Sequence, residues 1–155
     1  MPNATLRSSV ARLDTFQIRG GGVTVVLDST ISVPASTTVG YEIVFARVKT
    51  GARINGLSRL FNDALGAGVT LSLGFKPVGG NFTLSGTALA AATAVATAGS
   101  FTVPGDHANA GRFVWELLGL SADPGGFADV IGLTAGATTT ASAQDVTLSL
   151  VYTDE

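Results

Sequence analysis

Residues 41–75, YEIVFARVKTGARINGLSRLFNDALGAGVTLSLGF, hold the densest run of large apolar residues in the chain and decide its fold class. Within it, Val69, Leu71, Leu73 and Phe75 alternate with Thr70, Ser72 and Gly74. A period of two is the pattern of a strand with one buried and one wet face. Over 41–48, Tyr41, Ile43 and Phe45 fall on one side and Val44, Ala46 and Val48 on the other. A strand apolar on both sides is expected to be central, or covered on its second face. Between these two, Ile54, Leu57, Leu60 and Phe61 alternate less cleanly, and Gly56 stands where a bulge would switch the phase. Lys49-Thr50-Gly51 and Asn62-Asp63 supply turn residues, so the stretch reads as three consecutive strands joined by hairpins.

The flanks extend the same reading. Upstream, VTVVLDSTISV (23–33) is β-branched enough for a strand, interrupted near Asp28-Ser29 and closed by Pro34. Residues 1–22 show no sustained pattern: Arg7, Arg12 and Arg19 sit among small and polar residues before Gly20-Gly21-Gly22. This is an N-terminal arm, either a tail or a strap that orders on a neighbouring subunit. Downstream, TALAAATAVATA (87–98) breaks the rhythm. Alanine is the best helix former and Gly99 suits a C-terminal cap, so a short helix is expected there, with an extended loop as the alternative. In RFVWELLGL (112–120), Phe113, Trp115 and Leu117 share one face of a strand. A helix fits almost as well locally, but the all-β context and the flanking glycines favour the strand. Residues 145–152 alternate most cleanly, with Val146, Leu148, Leu150 and Tyr152 opposite Thr147 and Ser149. Their expected partner in one sheet is 23–33. The sum is an all-β chain: a two-sheet antiparallel β-sandwich of jelly-roll type over 23–155, with one short Ala-rich helix and the arm 1–22.

Composition narrows the function classes. Charged residues make up 13% of the 155, far below the usual ~25%, while 46% are hydrophobic and 20 are glycine. Polar but uncharged outer faces solubilise a monomer poorly and suit a protein covered by neighbours. With no cysteine, neither disulfides nor a thiolate zinc site can stabilise the fold. The N-terminus lacks the apolar core of a signal peptide, and no apolar run reaches the ~18 residues of a membrane helix. The sequons at Asn3 and Asn81 therefore carry little weight. Charge is unevenly placed. Residues 1–59 carry seven basic and three acidic residues, a net +4, and residues 60–155 carry two and eight, a net −6. The asymmetry is either random scatter on a solvated surface or complementarity between a basic patch and an acidic partner, such as another copy of the chain.

No catalytic, cofactor or metal site emerges from residue chemistry. His107, the single histidine, lies in the turn 105–109 beside Asp106, with no second histidine to complete a ligand set or a relay. Gly66-Ala67-Gly68 precedes a strand, so it presents no helix N-terminus to a phosphate. Asp123, Asp129 and Asp145 match no calcium-loop spacing, and convergence on a cation is the weaker alternative, a cation-dependent hydrolase. Trp115 and Phe113 read as core rather than as a sugar- or base-stacking platform. Arg47, Lys49, Arg53 and Arg59 lack interleaved aromatics, and the acidic remainder argues against nucleic-acid binding.

The order strand, basic-glycine turn KTGARI, strand, NDALGAGVTLSLGF resembles small virion proteins of tailed bacteriophages and of phage-derived gene transfer agents. The closing FADVIGLTAGATTTASAQDVTLSLVYTDE is similar to their final strand pair. The resemblance covers 23–155. It implies a non-enzymatic head decoration protein made in the bacterial cytoplasm, which binds the major capsid protein or other head proteins on the virion as a homo-oligomer, with a trimer favoured. The alternative is a head-spike or fibre subunit whose loops bind cell-surface polysaccharide. Neither implies a cofactor, a direct nucleic-acid contact or a membrane.

Overall fold

The computed structural model describes residues 23–154, together with the main chain of 5–7. Its strands are β1 (Thr5–Arg7), β2 (Val23–Val33), β3 (Glu42–Lys49), β4 (Arg53–Ile54), β5 (Ser58–Asn62), β6 (Thr70–Val78), β7 (Ser85–Ala94), β8 (Gly99–Val103), β9 (Phe127–Ala135) and β10 (Gln144–Asp154). They form two sheets, A in the order β1-β3-β9-β6-β7 and B in the order β2-β10-β5-β8, with the short β4 also on β10. Setting aside β1 and β4 and counting along the chain, sheet B runs 1-8-3-6 and sheet A 2-7-4-5. That order is the jelly roll, two Greek keys wrapped into a sandwich. β2 and β10 pair antiparallel over their whole length, from Val33↔Gln144 to Val23↔Asp154, and β2 runs through Asp28-Ser29 without a break. β1 adds to β3 in parallel; three residues are too short to show a period. The remainder of the arm, 1–4 and 8–22, lies outside the described residues.

The strands of 41–75 are where the sequence puts them, but their connections are not hairpins. β3 and β6 belong to sheet A and β5 to sheet B, so each turn carries the chain across the sandwich. After Lys49 the main chain bonds to the β8–β9 connection instead of returning along β3. Thr50 N–H donates to Gly126 O, while Val114 N–H and Trp115 N–H donate to Ala52 O and Thr50 O. β6 and β7 are the one consecutive pair of described strands that are neighbours in a sheet.

Two further expectations give way. Residues 87–98 are not a helix: Ser85–Ala94 is β7, the edge of sheet A. Helix propensity separates alanine from other residues by less than about 1 kcal/mol each. Against that, a helix would leave the hydrogen-bonding edge of β6 unpaired and withdraw Leu89, Ala90 and Val95 from the core. Nor is 112–120 a strand. Phe113 makes one bridge to Arg53, and Val114–Leu117 then forms a single helical turn, α1. Glu116 Oε2 accepts the Phe113 N–H at 2.9 Å, and Gly119, at φ 73°, ends the turn in the left-handed region.

The core lies between the sheets. Ile43, Phe45, Leu71, Leu73 and Phe75 from sheet A meet Ile54, Leu60, Val146, Leu148 and Leu150 from sheet B. A bulge adjusts β3 to this core. Val44 pairs with Ile131 and Ala46 with Val130, so Phe45 is the extra residue. Past it the parity flips: Ala46 and Val48 join Ile43 and Phe45 in the main core instead of facing away from them. The second face of β6 is not wet either, since Ser72 and Gly74 are buried.

Two pairs of substitutions check this packing. Leu71→Ala and Leu148→Ala are each expected to cost about 2–5 kcal/mol in chemical denaturation, and Thr70→Ala and Thr147→Ala much less. A Cβ on Gly74 would stand 1.8 Å from the Ser85 carbonyl oxygen, whereas one on Gly99 meets nothing within 4 Å. Gly74→Ala is therefore expected to cost about 3 kcal/mol or more, and Gly99→Ala to stay within about 0.5 kcal/mol.

Candidate interaction surface

The two outer faces of the sandwich differ. On sheet A the outward rows are Lys76–Asp129–Arg47, Gly74–Ile131–Val44 and Ser72–Leu133–Glu42, read across β6, β9 and β3. Val44 and Ile131 form a second, fully buried apolar cluster with Leu133 packed against it. Lys76 Nζ reaches Glu42 Oε1 at 2.8 Å, and the register puts that diagonal above Ile131, so an aliphatic stem and an ion pair roof the cluster. β7 closes the other side. Between Leu73↔Ala90 and Phe75↔Ser85 it holds three surplus residues, and the Ser85–Gly86 main chain lies against Gly74. A Cβ on Gly86 would come within 2.5 Å of Leu133 Cδ1.

Sheet B is open. Across β2, β10, β5 and β8 its outward rows are Thr30–Thr147–Phe61–Ser100 and Asp28–Ser149–Arg59–Thr102. The next row continues with Val26 and Val151, and Leu57 stands beside Val151 in the turn leading into β5. Val26 is 64% exposed, Leu57 74% and Phe61 46%. The rest of the face is hydroxyl-bearing, with Thr30 Oγ1 and Thr147 Oγ1 2.8 Å apart. Asp28 and Arg59 have no ion-pair partner among the described residues. A visible signal marked this face: Leu57, Arg59 and Phe61 share one parity, opposite to Ser58 and Leu60, which are buried.

The end loops divide in the same way. At the end holding 34–41, 63–69, 95–98 and 136–143 there is no Lys or Arg, and main-chain bonds tie the loops together. Ser36 N–H donates to Thr140 O (2.7 Å), Thr140 N–H to Leu65 O (2.9 Å) and Leu65 N–H to Val95 O (3.0 Å). The Gly66-Ala67-Gly68 segment belongs to this end and leads into β6, a strand. At the other end Arg53 lies 4.2 Å above the Phe113 ring, and Phe113 stacks on Trp115 at 5.7 Å and 16°. These two rings are half-buried at the surface rather than part of the core, and Val114 between them supplies the buried contact.

The sequence candidates separate in space. His107 sits on a single 3-10 turn, wholly exposed, 3.6 Å from Asp106 Oδ1, whose main task is to accept the Ala108 N–H. Asp123 accepts bonds from Thr50 Oγ1 and Gly125 N–H, and Asp145 donates its own N–H to Asp63 Oδ2. Asp129 is buried against Arg47 at 2.8 Å. Among the described residues no three His, Cys, Asp or Glu side chains gather where they would hold a metal. No helix there is long and apolar enough to cross a membrane.

Part of the charge asymmetry is spent within the chain. Arg47 and Lys49 from the basic half pair with Asp129 and Asp154 from the acidic half, at 2.8 and 2.9 Å, and Arg53 stacks on Phe113. Of the four cations in 41–75, Arg59 stands mid-way along the open face of sheet B and Arg53, opposite Thr153, at its end.

No family model matches this sequence, and no curated protein does. Solved structures share its fold. A chain of the capsid of Ralstonia phage GP4 superimposes with a TM-score of 0.72 at 19% identity, covering 98% of this chain and 99% of that one. A chain of the cyanophage Pam1 capsid asymmetric unit gives a TM-score of 0.61 at 20% identity over 100% of both. At such identities the likeness is one of fold.

Two of the ion pairs on β3, Arg47–Asp129 and Lys49–Asp154, differ in burial, which gives a direct check. Arg47→Met takes a charge-assisted hydrogen bond from the buried Asp129 carboxylate and is expected to cost about 1.5–3 kcal/mol in urea unfolding. Lys49→Met removes an exposed partner and is expected to change stability by no more than about 1 kcal/mol.

Proposed function

We propose that this protein is a non-enzymatic structural component of a tailed-phage-like virion, which decorates or stabilises the capsid head through protein–protein contacts as a homo-oligomer. The observation that carries the reading is the end-to-end match of its jelly roll to chains in two phage capsids, with neither partner of the comparison overhanging the other. The physical chemistry supports it. One sheet face is sealed by the protein's own residues and the other exposes apolar side chains, as a subunit covered by neighbours requires. The candidate carboxylates stand apart, with those of Asp123 and Asp129 engaged by nearby donors, which favours a structural over a hydrolytic role. In this reading the protein resides on the head surface, and residues 1–22 act as a strap onto an adjacent subunit while 23–155 form the body.

A second reading, a spike or fibre subunit that binds cell-surface polysaccharide, draws on the half-exposed Phe113–Trp115 stack capped by Arg53 at one end of the sandwich. Aromatic faces beside a cation suit sugar rings.

Mass spectrometry of purified particles tests the first reading. The protein is expected among the head components, and deletion of residues 1–20, which also removes β1, should lower its incorporation more than its denaturation midpoint. Absence from particles would remove the reading. Trp115→Ala separates the two: decoration predicts unchanged host adsorption, and polysaccharide recognition predicts its loss.

A further inference from the structure

The open face of sheet B is self-complementary. Take a two-fold axis running along β10 in the plane of that face. Two copies related by it meet front to front with strand directions kept, the aligned mode of sheet packing. Residues on β2 then oppose residues of the same row on β5. Asp28 of each copy faces Arg59 of the other, across Ser149 at the axis. Val26 faces Leu57, and Thr30 faces Phe61. Asp28 and Arg59 each meet an opposite charge, and Val26 and Leu57 each meet an apolar side chain, while Asp145, near the start of β10, lies at the axis beside its own copy.

We propose that the outer face of sheet B is an isologous contact between two copies of this chain, held by paired Asp28–Arg59 bridges and a Val26–Leu57 apolar row. It deepens the homo-oligomer part of the reading above and rests on that part alone. Four features select a second copy as the occupant. The two charges have opposite sign and sit symmetrically about the central β10, so the face matches itself and repels a partner carrying only one sign. Neither has an ion-pair partner among the described residues. The other face is closed over Val44 and Ile131 by Lys76–Glu42 and by the main chain over Gly74, which leaves Phe127, at the start of β9, as the exposed apolar side chain at its end. The area is also adequate. Under this axis β8 overhangs the partner's edge strand, so β10 with the facing lengths of β2 and β5, at about 3.3 Å per residue and about 4.8 Å between strands, gives roughly 330 Å² in projection per copy. That corresponds to a reversible contact at the weak end of specific interfaces. An isologous contact closes as a dimer, or joins rings into even-numbered assemblies, whereas the resemblance implies a trimer.

Sedimentation velocity of the full chain, from low micromolar to several hundred micromolar, decides it. The expected result is a concentration-dependent even-numbered species. Asp28→Arg or Arg59→Asp alone should weaken association about tenfold or more, and the double variant should restore it. Leu57→Ser should weaken it without any effect of salt, while the wild-type contact loosens as salt rises. All three positions are on the surface, and denaturation midpoints confirm that the variants fold. A protein monomeric throughout, an odd-numbered assembly, or one indifferent to both charge reversals overturns the proposal. Incorporation into particles, measured separately, bears on the virion reading alone, so the two fail independently.

Discussion

The approach of one main chain to another at Gly74 sets the character of both faces of this sandwich. Ser85 and Gly86 pass so close to Gly74 that no side chain fits there, and Gly86 in turn admits Leu133. The consequence spreads along sheet A. With β7 drawn in over β6, Val44 and Ile131 are sealed from water on what would otherwise be a solvent face. Lys76 and Glu42 complete the seal from the other direction. A surface that satisfies itself in this way has little to offer a partner, and the exposed apolar side chains of β2 and β5 are left on sheet B.

A second adjustment works with it. The extra residue at Phe45 sends two successive side chains, Phe45 and Ala46, into the main core and turns Arg47 out to meet Asp129. Burying that carboxylate is tolerable because the guanidinium lies against it. Part of the charge asymmetry along the sequence thus becomes contacts between the two halves of the chain. The low overall charge has the same origin. Small hydroxyl and methyl side chains cover the sheet B face and one end of the molecule, and loops such as 34–41 and 136–143 hold each other through main-chain bonds rather than through salt bridges. Such surfaces lose little side-chain entropy on docking.

The strands and the jelly-roll class were legible because alternation in 69–75 and 145–152 is a direct record of which side of a sheet is buried. Connectivity was not. Lys49-Thr50-Gly51 has hairpin chemistry, yet its main-chain partners lie some sixty residues away, and turn composition carries no information about them. The alanine run misled for a related reason: propensity is local, whereas the hydrogen-bonding edge of β6 is a tertiary fact. In 112–120 the residues allowed both readings, and a single carboxylate, Glu116 folding back on Phe113 N–H, decided for the helical turn. The candidate surface was half legible. The parity of Leu57, Arg59 and Phe61 is visible in the sequence, but their alignment with Val26 and Asp28 required the placement of β10 between them.

The central claim is that sheet B is the face this protein uses and sheet A the face it closes. The absence of cysteine makes a direct measurement possible, since a thiol placed at Thr30, exposed on the sheet B face and opposite Phe61 in the contact, is unique in the chain. Its rate of maleimide labelling, compared with that of a thiol at Thr138 in the loop beyond β9, reports whether the face is covered. Thr30→Cys is expected to be protected progressively as protein concentration rises, while Thr138→Cys labels at a constant rate. Equal rates at both positions at every concentration would contradict it.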